Sequence, residues 1–133
     1  MPHEIFKACI NACNECAETC DYCEAACLKE REVAKLARCI QLDIDCAELC
    51  RLAVSYMSRE SDYAAEVCEL CAALCDACAR ECADHPMQHC QDCAASCRRC
   101  AAECRRVGSD RTVPQSARKT AAGASAAGRA VPS

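Results

Sequence analysis

The chain has 133 residues and a formal net charge of −4, with 19 cysteines, three glycines, one phenylalanine and no tryptophan. Cysteine at about one residue in seven leaves two classes, a disulfide scaffold or a metal–thiolate protein. Scarce aromatics exclude a nucleobase-stacking surface, and no run approaches the ~20 apolar residues that span a bilayer, so neither a nucleic acid nor a membrane is an expected partner.

In chain order, Met1-Pro2-His3-Glu4 lacks the basic and apolar stretches of an export signal. This predicts a cytoplasmic location, where thiols stay reduced. Pro2 suits the first turn of a helix. Cys9, Cys13, Cys16, Cys20, Cys23 and Cys27 then follow at alternating steps of four and three. At about 100° per residue they fall within an arc of roughly 80° on one helix. They form the inward seam of a packed helix, with cysteine in place of leucine; a strand would scatter them over both faces. The break after this helix is poorly marked, since Leu28-Lys29-Glu30-Arg31 holds neither glycine nor proline.

A second helical stretch, about 33–56, carries Cys39, Cys46 and Cys50 among aliphatic residues. Asp43 lies four residues after Cys39 and three before Cys46, near the inward stripe. It either serves as a minor metal ligand or hydrogen-bond acceptor, or it rotates out of the seam. Ile40, Ile44, Leu49, Leu52 and Tyr56 exceed what one inner face needs, which predicts a subunit interface, because large apolar patches seldom stay exposed.

The third helix carries Cys68, Cys71, Cys75, Cys78 and Cys82. Ser58 or Ser61 is its expected cap, with Asp62 in the first turn. Asp84-His85-Pro86 ends it, because the residue before proline leaves the α region, and Asp84 or His85 precedes the fourth helix. That helix carries Cys90, Cys93, Cys97, Cys100 and Cys104, and has no Val, Ile, Leu or Phe between Met87 and Arg106. Gly108 is its expected stop. Beyond it, Arg111, Arg118, Lys119 and Arg129 stand against Asp110, a balance of +3 that leaves −7 on residues 1–106. Residues 107–133 read as a basic, disordered tail, too poor in large apolar groups to offset their ordering entropy.

Four helices of about 22–26 residues with short connections predict an all-α fold, an antiparallel up-down-up-down four-helix bundle over 1–106 with cysteines lining its interior. Buried cysteine also works as a small hydrophobe, but that role predicts one or two per helix among leucines. Disulfides do not fit either. An odd count leaves one thiol over, and i,i+4 side chains stand ~5–6 Å apart at Cβ where a disulfide wants ~3.5–4.5 Å. A metal held between sulfurs fits this wider gap. Soft thiolates select Cu(I), zinc or iron–sulfur clusters. Structural zinc prefers paired knuckles on turns, and the iron–sulfur loop motif is absent. Cu(I) accepts two or three thiolates, and bridging thiolates bring the count towards one Cu(I) per cysteine. No nucleophile–base pair, phosphate loop or open catalytic metal site is recognisable, so no enzymatic activity is expected. Zinc or cadmium sequestration, an iron–sulfur centre and a thiol redox protein are the alternatives.

These Cys-x-x-x-Cys and Cys-x-x-Cys ladders over residues 3–106 resemble the bacterial copper storage proteins (Csp family), four-helix bundles lined with cysteines. The resemblance is to the cytosolic branch. It implies reversible binding of many Cu(I) ions by all 19 thiols for copper homeostasis and detoxification, and a homo-oligomer, specifically a tetramer. It also implies that histidines or methionines at one bundle end admit the metal. His85, Met87 and His89 cluster at the helix 3–4 connection and are the candidates for that role; His3 would lie at the opposite end.

Overall fold

The computed structural model describes residues 4–116. It has four helices, α1 (Glu4–Cys27), α2 (Ala37–Ser58), α3 (Ala64–Ala83) and α4 (Gln88–Ser109), and no strand among the described residues. The weakly marked first break is a turn followed by a single 3₁₀ turn, Val33–Leu36, which buries Leu36 at the bundle end. Packing runs around a ring, α1 on α2 and α4, and α3 on α2 and α4. With short connections this is the up-down-up-down arrangement.

The sulfur contacts fix the register. Along α1 and α4, Cys9 meets Cys104 at 3.6 Å, Cys16 meets Cys97 at 3.7 Å and Cys23 meets Cys90 at 3.9 Å, with the numbers running in opposite directions. Along α2 and α3, Cys39 meets Cys82 at 3.2 Å, Cys46 meets Cys75 at 3.5 Å and Cys50 meets Cys71 at 3.7 Å. Buried alanines flank the cysteine seam, among them Ala17, Ala47, Ala72, Ala79, Ala94 and Ala101. Small side chains there let the helix backbones approach closely enough for sulfurs on facing helices to touch.

Three boundaries differ from the sequence reading. α3 begins at Ala64, so Asp62 sits in the preceding turn; Ser61 Oγ accepts the backbone N–H of Tyr63 at 3.0 Å there rather than capping the helix. α4 begins after Met87 rather than after Asp84 or His85. Gly108 lies inside α4, not beyond it, and its role is steric: a Cβ there would stand 2.7 Å from Glu69 Cγ of α3. α4 continues to Ser109, and the chain folds back so that Val113 is buried and Ser116 N–H bonds Glu66 Oε2 at 3.0 Å. The apolar surface at this end, Phe6, Met57 and Val107, gives Val113 something to cover. Residues 117–133 of the expected tail, and His3, lie outside the described residues.

Cross-helix ion pairs, including Arg99–Glu15 at 2.6 Å and Arg51–Asp21, decorate the outside. They are exposed, and pairs of this kind contribute little.

Candidate metal centre

Every one of the 19 cysteines is a free thiol with no solvent exposure. The antiparallel register sorts them into layers stacked along the bundle axis. Nearest the end closed by Phe6, Met57, Val107 and Val113 stand Cys9, Cys68 and Cys104, with Ala53 at the α2 position opposite Cys68. Next comes a four-sulfur layer in which Cys100 lies 3.5 Å from Cys13 and 3.7 Å from Cys50, and Cys50 lies 3.7 Å from Cys71. The middle layer joins Cys16 to Cys97 at 3.7 Å, Cys16 to Cys46 at 3.8 Å and Cys46 to Cys75 at 3.5 Å.

In the following layer Asp43 takes the place of a fourth cysteine beside Cys20, Cys78 and Cys93. Its Oδ1 accepts from Cys93 at 3.2 Å, Cys78 at 3.3 Å and Cys82 at 3.6 Å. Of the two readings of Asp43, the inward one is what the structure has; the side chain is fully buried. Cys23, Cys39, Cys82 and Cys90 form the last full layer, and Cys27 stands beyond it, 3.8 Å from Cys90. Layers are tied to one another along each helix by i,i+4 contacts such as Cys71–Cys75 at 3.9 Å and Cys93–Cys97 at 4.0 Å. The result is one continuous column of sulfur, with several groups of four thiols whose sulfurs all lie within 4.8 Å of one another.

Spacings of 3.2–4.0 Å suit one soft ion between neighbouring sulfurs at the ~2.3 Å metal–sulfur distance of thiolate sites. They are far beyond the ~2.05 Å of a disulfide.

The three residues expected at the mouth are used unequally. His89 is the one that reaches sulfur: its Nδ1 lies 3.5 Å from Cys90, 3.6 Å from Cys23 and 3.8 Å from Cys27. His85 instead pairs its Nε2 with Glu81 Oε2 at 2.9 Å, one turn back on α3. Met87 is half-buried and packs on the edge of the core. Sequence reasoning missed one participant at this end, Glu30, whose Oε2 lies 2.9 Å from His89 Nε2. It comes from the connection whose composition carries no turn signal.

Burial bears on protonation at the mouth and at Asp43. It pushes the thiols of Cys27 and Cys90 up, Cys27 to about 11, because a thiolate loses its hydration in the core. Burial, followed by the neighbouring Cys93 and Cys39, likewise lifts the Asp43 carboxyl from its ordinary 3.8 to about 9. Asp43 is therefore a neutral acid at pH 7 in the metal-free protein. The proton it binds in the fold favours folding below about pH 4, and this contribution is lost as pH rises towards 9. Asp43→Asn keeps the shape and removes the titration. Melting curves of metal-free protein between about pH 4 and 9 should fall less steeply for the variant, with a gain on the order of 4 kcal/mol at pH 7. Parallel curves for the two proteins would remove the argument.

No helix among the described residues is long and apolar enough to cross a membrane.

A family model described as copper storage protein (Csp) matches residues 2–109. Among solved structures, the chain is similar to the Cu(I)-bound copper storage protein BsCsp3, at 44% identity and a TM-score of 0.74, over 76% of this chain and 95% of that one; the metal-free form of that protein is from Bacillus subtilis. It is also similar to a cytosolic copper storage protein from Streptomyces lividans solved with five coppers, at 37% identity and a TM-score of 0.78, over 82% of this chain and 96% of that one. Among curated proteins, an uncharacterized cysteine-rich protein, YhjQ, of Bacillus subtilis (strain 168) is 44% identical over 65 residues. That match spans 49% of this chain and 60% of the relative.

Proposed function

Because the chain belongs to the copper storage protein family, we propose that it holds Cu(I) in bulk within its thiol column, in the cytoplasm, as a reservoir that keeps the metal from reacting elsewhere. The observation that carries this reading is continuity. A single redox or structural site needs a few ligands, whereas here all 19 cysteines face one interior and none is exposed. Thiolates that each bridge two Cu(I) ions, with each ion taking two or three sulfurs, fill such a column at close to one ion per cysteine. The cytoplasmic assignment draws support from the relative described as cytosolic.

All 19 cysteines are the proposed ligands, with Asp43 and the Nδ1 of His89 as oxygen and nitrogen donors at their layers. Metal is proposed to pass at the His89 end, because the opposite end is sealed by Phe6, Met57, Val107 and Val113. The protein is further proposed to self-associate. Ile44 and Leu52 of α2 are exposed, as are Leu70 of α3 and Tyr63 just before it, and a groove lined by Leu49, Leu52 and Leu74 runs between α2 and α3. Ile40 and Tyr56, by contrast, are half-buried and pack on the protein's own core.

The test is an anaerobic titration of the reduced protein with Cu(I), with the bound metal counted after a strong Cu(I) chelator competes. More than ten ions retained per chain is the expected result. Retention of only one or two, or displacement of copper by zinc, would overturn storage.

A further inference from the structure

No thiol is exposed, so an incoming Cu(I) ion meets another side chain before it meets sulfur. At the end away from the Phe6 seal, that side chain is His89, which retains 13% exposure while its Nδ1 faces Cys23, Cys27 and Cys90. Its other nitrogen is engaged from a different element. Glu30, on the connection between α1 and α2, brings Oε2 to 2.9 Å from His89 Nε2. Glu30 also walls a cleft of about 320 Å³ between the two connections at this end, together with Arg31, Leu36, His85 and Met87.

We infer that Glu30 is a positioning residue for copper transfer, acting through His89. A carboxylate only accepts hydrogen bonds, so the neutral ring must carry its proton on Nε2, and the Nδ1 lone pair is then aimed at the three sulfurs. Without Glu30 the ring is free to exchange tautomers, and in one of them Nδ1–H points at the thiols and cannot take a cation. It is also free to turn away from the column. Outer carboxylates that orient a ligating histidine typically change metal affinity or activity by ~10–100-fold. His85 has no such arrangement, since its Nε2 pairs with Glu81 of the adjoining last turn of α3 and no hydrogen bond among the described residues joins the ring to a sulfur. The inference rests on the storage reading and names the residue that aims its first nitrogen ligand.

The experiment uses the full chain, metal-free and reduced, with Cu(I) delivered anaerobically from its bicinchoninate complex, whose colour falls as metal leaves. Glu30→Ala should slow the initial transfer roughly tenfold and leave the number of ions retained at saturation unchanged. Glu30→Gln, whose amide oxygen accepts the same N–H, should recover most of the rate. In a His89→Ala background, Glu30→Ala should have no further effect, because the residue acts through the ring. Nitrogen-15 spectra of the metal-free protein near pH ~8, where imidazole is neutral, should show His89 wholly as the Nε2–H tautomer. In Glu30→Ala they should show it moving towards the mixture of free imidazole.

Equal slowing in the presence and absence of His89 would overturn the inference and leave Glu30 as a mere anchor of the connection. So would an unchanged rate with an unchanged spectrum. Storage itself fails separately, through a low saturation count in the unsubstituted protein.

Discussion

Saturation with Cu(I) is expected to raise the melting temperature of the reduced protein by more than about 15 °C. The metal-free core explains the size of this shift. Its interior is largely cysteine and alanine, and α4 between Met87 and Arg106 contributes no branched aliphatic or aromatic side chain. Small side chains remove little apolar area from water, at ~25 cal/mol per Å². Metal bound only by the folded chain adds stability by mass action, about 4 kcal/mol for each site held at a thousand times its dissociation constant. One kcal/mol moves the midpoint of a domain of this size by roughly 3–6 °C, so the first few ions suffice. The ions also join sulfurs from all four helices, as in the layer of Cys13, Cys50, Cys71 and Cys100. Scanning calorimetry with and without metal reads the result directly. A melting temperature that does not move on saturation would mean that the metal sits outside the column.

A second large effect is the release of close to one proton for every Cu(I) ion bound. Burial disfavours the thiolate at the mouth, pushing Cys27 and Cys90 up, Cys27 to about 11, and a thiol must lose its proton to become a ligand. Each ion brings one positive charge and each thiol surrenders one, so the column stays neutral as it fills. Uncompensated charge in such an interior is costly, which ties the two steps together. In lightly buffered solution near pH 7, a pH-stat should record base consumption in step with the metal added until the thiols are used. Apparent affinity should weaken as pH falls, because protons then compete for the same sulfurs. Release of well under one proton per ion would show that thiolates already exist in the metal-free core, and would contradict the protonation argued from burial.

The helices and their inward faces were readable because the signal was repeated so often. The steps of three and four from Cys9 to Cys27 admit one secondary structure, and the same rhythm on α3 and α4 left no choice of architecture. The orientation of Asp43 was not readable. Periodicity placed it near the seam, but whether a lone carboxylate turns inward depends on its donors, and Cys78, Cys82 and Cys93 come from two other helices. The mouth was half-read. His89 could be named from its position, whereas its partner Glu30 lies in a stretch with no turn residue, and its contact spans 59 positions in sequence. Gly108 was assigned the commoner of two roles, helix termination, when the packing of Glu69 against it imposes the other. Val113 was placed in the tail because an isolated apolar residue carries no periodic signal, whereas in the fold it joins the buried Phe6 and Met57 at that end.

The layered register restricts how a protein of this kind can change its capacity. A helix seam of this spacing returns to the inward face every three or four residues, one layer at a time. Inserting a single residue anywhere in α1 would turn every thiol beyond it by about 100° and out of the column. A longer column therefore needs three or four residues added to each of the four helices together, which brings about four new sulfurs at once. Capacity in this architecture is quantised. Between those steps it can be trimmed only one position at a time, by exchanging a thiol for something that still fits the layer, as Ala53 and Asp43 do here.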